Sequence, residues 1–105
     1  MIEAYFLVPV KSNAGEPFPE EKYETLETRL AKTFGGWTQA GYNEGGWADD
    51  QGKVVRDKTA KYIVALDSWT KAQTLIEIIK WIAEEFDQDC IYLVIAGTPE
   101  LIWRQ

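Results

Sequence analysis

Apolar positions along the chain follow two periods, and their order predicts four strands and two helices. From Ile2 to Val10, the side chains Ile2, Ala4, Phe6, Val8 and Val10 alternate with Glu3, Tyr5, Leu7 and Pro9. A period of two is that of a strand. Tyr5 and Leu7 make the second face apolar too, which predicts a central strand covered on both sides. Pro9 has no N–H to donate, so pairing should weaken at that end. Lys11 to Pro19 reads as a loop. Pro19 suits a first helical turn, and Glu20 and Glu21 favour the positive end of a helix dipole. Tyr23, Leu26, Leu30 and Phe34 then recur at steps of three and four. The first helix is therefore expected from Pro19 to Phe34, stopped by Gly35 or Gly36.

Trp37 to Trp47 reads as a second strand with weak alternation, its glycines allowing a bulge. Asp49-Asp50-Gln51-Gly52 is a turn signal that sends Lys53-Val54-Val55 back toward Trp47. The returning strand is clearest from Lys58 to Leu66. Thr70-Lys71-Ala72-Gln73 matches a capping box. Ala72, Leu75, Ile76, Ile79, Ile82, Ala83 and Phe86 form a helical stripe, which predicts a second helix from Lys71 to Phe86. Cys90 to Ala96 is a last strand. Gly97-Thr98-Pro99 reads as a turn, and Leu101-Ile102-Trp103 as an apolar tail.

Strand, helix, strand, strand, helix, strand is the order of a ferredoxin-like βαββαβ sandwich. The expected fold is thus α+β: a four-stranded antiparallel sheet with two helices on one face. Residues 1–105 make a single domain, with a core over 1–98 and the tail over 99–105. One sheet face is then left open although its strands are apolar. A soluble chain avoids such a patch. Either a homodimer forms through the open face, or Leu101, Ile102 and Trp103 fold over it.

Composition narrows the chemistry more than it identifies it. The chain has 105 residues, 46% of them hydrophobic and 27% charged, as in an ordinary globular domain. Its formal net charge of -6 disfavours direct contact with nucleic acid or with anionic membranes. The lone Cys90 permits no intrachain disulfide and fits a reducing compartment. No apolar run reaches the ~20 residues of a membrane helix, and the start lacks a basic segment before its apolar run. A cytoplasmic location is expected. Histidine is absent, which removes the commonest general base and transition-metal ligand, and with them Ser-His or Cys-His nucleophiles. No cofactor and no metal are expected.

Phe34-Gly35-Gly36-Trp37-Thr38, then Gly41 and Trp47, then Asp50-Gln51-Gly52, resembles a group of small uncharacterised bacterial and phage or plasmid proteins. They carry a Phe-Gly-Gly-x-Thr turn after the first helix and a Gly-x-Trp hairpin ending in Asp/Asn-Gly. Here Asn43 to Gly46 lengthens the gap before Trp47. The resemblance covers the middle third and the element order. It implies a ferredoxin-like fold and brings no activity and no catalytic residues.

Several constellations of residues carry candidate chemistry. Trp37, Tyr42, Trp47 and Tyr62, with Thr38, Gln39 and Asn43 as polar groups, would line a ligand or partner site; the competing reading is a core or dimer contact by large aromatics. Asp49, Asp50 and Asp57 lack the spacing of a calcium loop and read as turn residues. Glu16, Glu20, Glu21, Glu24 and Glu27, with Glu84, Glu85, Asp87 and Asp89, would suit an acidic mimic of a phosphate backbone, although such acids usually serve solubility. Cys90 reads as a small buried hydrophobe. Tyr62-Ile63-Val64 lacks the basic and glycine residues of an RNA-binding strand. The glycine-rich stretch lacks the strand-before, helix-after context of a phosphate loop.

The leading functional expectation is a non-enzymatic homodimeric binding or regulatory module. A second is a small acidic inhibitor of a nucleic-acid-handling protein, of phage or plasmid type. A third is a cofactor-free enzyme using Tyr42, Asp49 or Glu44.

Overall fold

The computed structural model describes residues 1–104. Its elements are β1 (Ile2–Pro9), α1 (Glu20–Phe34), β2 (Thr38–Ala48), β3 (Val54–Leu66), α2 (Thr70–Glu85), β4 (Cys90–Ile95) and β5 (Thr98–Trp103). The strands form one sheet in the order β2-β3-β1-β4-β5, antiparallel at every pairing. The α+β class and the two helices follow the sequence reading; the strand count does not. There are five strands, because the expected apolar tail is a strand on the β4 edge.

The local reason lies in the turn. Ile95 pairs with Thr98, which leaves Ala96 and Gly97 as a two-residue loop with φ of 50° and 82°. Two positive φ values are what a type I′ hairpin requires, so the chain reverses one residue earlier than Gly97-Thr98-Pro99 implied. Pro99 is tolerated because β5 is an edge strand and can lack an outward donor. The tail therefore extends the sheet and does not fold over it. Its alternation sends Ile102 into the core and leaves Leu101 and Trp103 exposed on the opposite side.

One sheet face carries the core. Ala4, Phe6 and Val8 of β1, Tyr62, Val64 and Leu66 of β3, and Ile91 and Leu93 of β4 are buried with Leu26 and Leu30 of α1 and with Leu75, Ile79 and Ile82 of α2. Each fully buried aliphatic chain contributes about 1.5–3 kcal/mol. On the other face Tyr5 and Leu7 are only half-buried, and Tyr92, Leu101 and Trp103 are exposed. Within one chain β1 is thus fully covered on the helix side only.

Helix α1 starts after Pro19, with Glu20 and Glu21 in its first turn, and stops at Gly35. That glycine has φ of 87° and donates its N–H to the Ala31 carbonyl at 2.9 Å, a left-handed cap that a Cβ would strain. The capping box expected at α2 is not formed. Trp69 is the N-cap and makes no side-chain cap bond. The Thr70 hydroxyl meets Ser68 Oγ at 2.6 Å, and Gln73 donates to Glu77 Oε1 at 2.9 Å. The helix begins one residue too early for Thr70 to serve as the cap. No helix among the described residues is long and apolar enough to cross a membrane.

Strand β3 pairs with β1 only from Thr59 to Leu66, yet it continues with β2 out to Val54 and Ala48. The far half of this hairpin projects beyond the sheet, and the molecule is elongated at 41 × 29 × 27 Å.

Candidate functional site

The candidate residues on β2 divide between the two faces of the hairpin, and a bulge decides how. Gln39 pairs with Tyr62 and Tyr42 with Ala60, so β2 spends one residue more than β3 across this step. Gly41 accommodates the extra residue at φ of 83°, and the Gln39 amide donates to the Gly41 carbonyl at 2.6 Å. Plain alternation would put Gln39 and Tyr42 on opposite faces. The inserted residue returns Tyr42 to the face of Gln39. Trp37, Gln39, Tyr42 and Tyr62 therefore share the helix side. Thr38, paired with Ile63, and Trp47, paired with Val55, lie on the other side and are not part of the same cluster.

Tyr62 is the floor of the cluster, only 2% exposed. Its hydroxyl donates to Glu27 Oε2 at 2.7 Å, and the Trp37 ring lies 6.0 Å away between centroids, tilted by 55°. Trp37 and Tyr42 are the outer walls, 38% and 63% exposed. Helix α1 supplies the remaining side with Glu27 and Tyr23, one turn apart. The Tyr23 hydroxyl donates to the Pro9 carbonyl at 2.9 Å.

Sequence reading placed Tyr23 in the helical stripe and Glu27 among the solvated acids, and missed both as site residues. The four-residue spacing of Glu27 from Tyr23 was the available signal, since it sets the carboxylate on the border of the buried face.

Burial, then the Glu27 carboxylate, pushes the Tyr62 phenol far above its ordinary range. Burial, then Glu20 and Tyr42, pushes Tyr23 up to about 12. Both phenols stay protonated near neutral pH. They serve as donors and aromatic surface, not as bases. What remains is the Trp37–Tyr62 ring pair beside the Glu27 carboxylate, with Tyr42 on the same face, aromatic and anionic surface of the kind that attracts cations. A lysine already lies against it: Lys58 Nζ sits 5.4 Å from the Tyr42 ring centroid.

The other candidates have local partners. Asp49 Oδ1 accepts the backbone N–H groups of Gln51 and Lys53, both at 2.9 Å, which fixes the hairpin turn. Trp47 Nε1 donates to Asp57 Oδ2 at 2.8 Å on the arm. Glu44 pairs in register with Lys58. Cys90 is half-buried, and burial followed by Asp89 raises its thiol, which disfavours a reactive thiolate. A shallow groove of about 380 Å³ on the open sheet face is lined by Glu3, Tyr5, Tyr92, Val94 and Pro99 among others.

No family model matches the chain, and no curated protein sequence matches it. Among the solved structures similar in fold are two that match nearly the whole of this chain. One is a phage SAM lyase in complex with S-methyl-5'-thioadenosine, with a TM-score of 0.70 at 15% identity, covering 97% of this chain and 88% of that one. The other is a phage SAM lyase in the apo state, with a TM-score of 0.68 at 14% identity, covering 99% and 90%.

Proposed function

We propose that the chain binds a sulfonium nucleoside of the S-adenosylmethionine class at the Trp37–Tyr42–Tyr62–Glu27 cluster and cleaves it as a lyase. The observation that carries this reading is the aromatic cluster closed by a hydrogen-bonded carboxylate. A trialkyl sulfonium is a weakly hydrated, spread charge of the kind that aromatic rings attract. The adenine of such a ligand offers a flat surface for Trp37 or Tyr42 to stack on. The similar structures support the substrate class and the phage setting, being phage SAM lyases, one of them bound to S-methyl-5'-thioadenosine. The sheet order β2-β3-β1-β4 is read as a ferredoxin-like plan to which β5 adds an edge strand.

The chemistry fits a chain without histidine. The sulfonium is already an activated leaving group. When its bond to the four-carbon arm breaks, the electron pair stays on sulfur and S-methyl-5'-thioadenosine leaves as a neutral thioether. The carbon left behind is satisfied by the substrate's own carboxylate, closing a lactone. The positive sulfur and the negative carboxylate cancel in this step, so contact with an aromatic surface favours it over water. No protein base is needed, which accords with phenols held in their protonated form.

Titration calorimetry tests the site. S-adenosylmethionine should bind, and Trp37→Ala or Glu27→Gln should weaken it at least tenfold. The neutral S-methyl-5'-thioadenosine should lose less in Glu27→Gln than the cation does. Absence of heat with both ligands would reject the reading. Binding without cleavage would leave the site in place and return the chain to a non-enzymatic binding module. Recovery of a nucleic-acid-handling protein, with no ligand heat, would favour the acidic-inhibitor alternative.

A further inference from the structure

The geometry points to a self-associating protein in which the projecting β2–β3 arm of one copy lies on the open sheet face of a second copy. Two unpartnered features carry this. The first is the arm. From Gly45 to Ala48 and Val54 to Asp57 it is a two-stranded ribbon paired only with itself, and Trp47 is exposed on its open-face side at 54%. Such a ribbon is marginal in water unless a surface supports it. Gly45 and Gly46 within it offer no side chain that would.

The second feature is the open face. Tyr5, Leu7, Ile63, Tyr92, Leu101 and Trp103 stand on it, and a shallow groove runs past Tyr5, Tyr92 and Pro99. One chain cannot join the two features to each other. The arm runs on from β3 beyond the end of β1, so Trp47 lies on the hairpin face continuous with Ile63 and Tyr5 but past the edge of the sheet body. A second copy turned face to face brings its own Tyr5 and Tyr92 under that indole.

The arm with its turn is about 20–25 Å long and about 10 Å wide. Two reciprocal contacts of that size, counted on both partners, come to about 800–1,000 Å², at the lower bound for a specific interface. Trp47 is the natural anchor: a large aromatic at the centre of the arm, its N–H already satisfied by Asp57 at 2.8 Å and so free to be covered. This contact is separate from the aromatic cluster, which lies on the helix side of the hairpin. Its failure leaves the ligand reading untouched.

Sedimentation velocity across a concentration series is the test. The wild-type chain should run above monomer mass at micromolar concentration. Trp47→Glu on the arm and Leu101→Glu on the face, both at exposed positions, should each weaken association at least tenfold with unchanged circular dichroism. A second measurement guards against misfolding. In a Cys90→Ser background, a Gly45→Cys chain mixed with an Ala65→Cys chain should form a mixed disulfide on diamide oxidation. A Cβ at Gly45 meets nothing within 4 Å, so that substitution has room. A monomeric wild type, association indifferent to Trp47→Glu, or no mixed disulfide would each overturn the inference.

Discussion

At the scale of single residues, the pair Tyr62–Glu27 joins stability to the proposed site. The hydroxyl of a fully buried ring is satisfied by a carboxylate 2.7 Å away. Tyr62→Phe removes the donor and leaves the carboxylate short of a partner at the edge of the core. The expected loss is about 1.5–3 kcal/mol, read as a lower urea midpoint at unchanged slope. The same phenols set an alkaline limit. Tyr23 titrates near 10 when unfolded and is pushed up to about 12 when folded, and Tyr62 moves in the same direction. A raised folded pKa means that the native state holds protons the unfolded state has released. The stabilisation is full below pH 10 and is lost as pH rises toward 12. Urea midpoints measured from pH 9 to 12 should fall across that window; a flat profile would contradict the burial of these rings.

At the scale of elements, the bulge at Gly41 and the cap at Gly35 determine where side chains end up. Gly35→Ala places a Cβ at φ of 87° and should cost about 1 kcal/mol by thermal or urea unfolding, with the site unaffected. Deleting Ala40 removes the extra residue of β2 and leaves Tyr42 two positions after Gln39, so regular alternation keeps it on the helix side opposite Ala60. Ligand binding should survive the deletion with an unchanged α+β circular dichroism spectrum, and its loss would show that the bulge itself shapes the site.

These elements also mark how far the sequence could be read. The stripes Tyr23-Leu26-Leu30-Phe34 and Leu75-Ile79-Ile82 are long and strictly periodic, so both helices were legible to within a residue or so. The bulge was legible only as a permission, because Gly41, Gly45 and Gly46 all allow one and pairing alone chooses. The type I′ turn was missed because Gly97 and Pro99 together resemble a chain end more than a hairpin. The site suffered from the same gap. Alternation on a bulged strand does not say which of Trp37, Thr38, Gln39, Tyr42 and Trp47 share a face, and Glu27 lies on another element altogether.

At the scale of the whole molecule, a helix-covered sheet holds the core, and the remaining apolar surface is divided between an open face and an arm. The core anchors the cluster through Tyr62, which is stacked on Phe6 at 5.8 Å and tied to α1 through Glu27. Leu30→Ala beneath α1 should cost about 2–5 kcal/mol in urea and loosen Glu27 with it. The proposed activity is that the Trp37–Tyr42–Tyr62–Glu27 cluster takes a sulfonium nucleoside and releases its thioether. It is tested by incubating the pure chain with S-adenosylmethionine and quantifying S-methyl-5'-thioadenosine by mass spectrometry, beside Trp37→Ala. Product should form in proportion to protein and fall at least tenfold with the substitution. No product above the protein-free control, or product indifferent to Trp37→Ala, would contradict it.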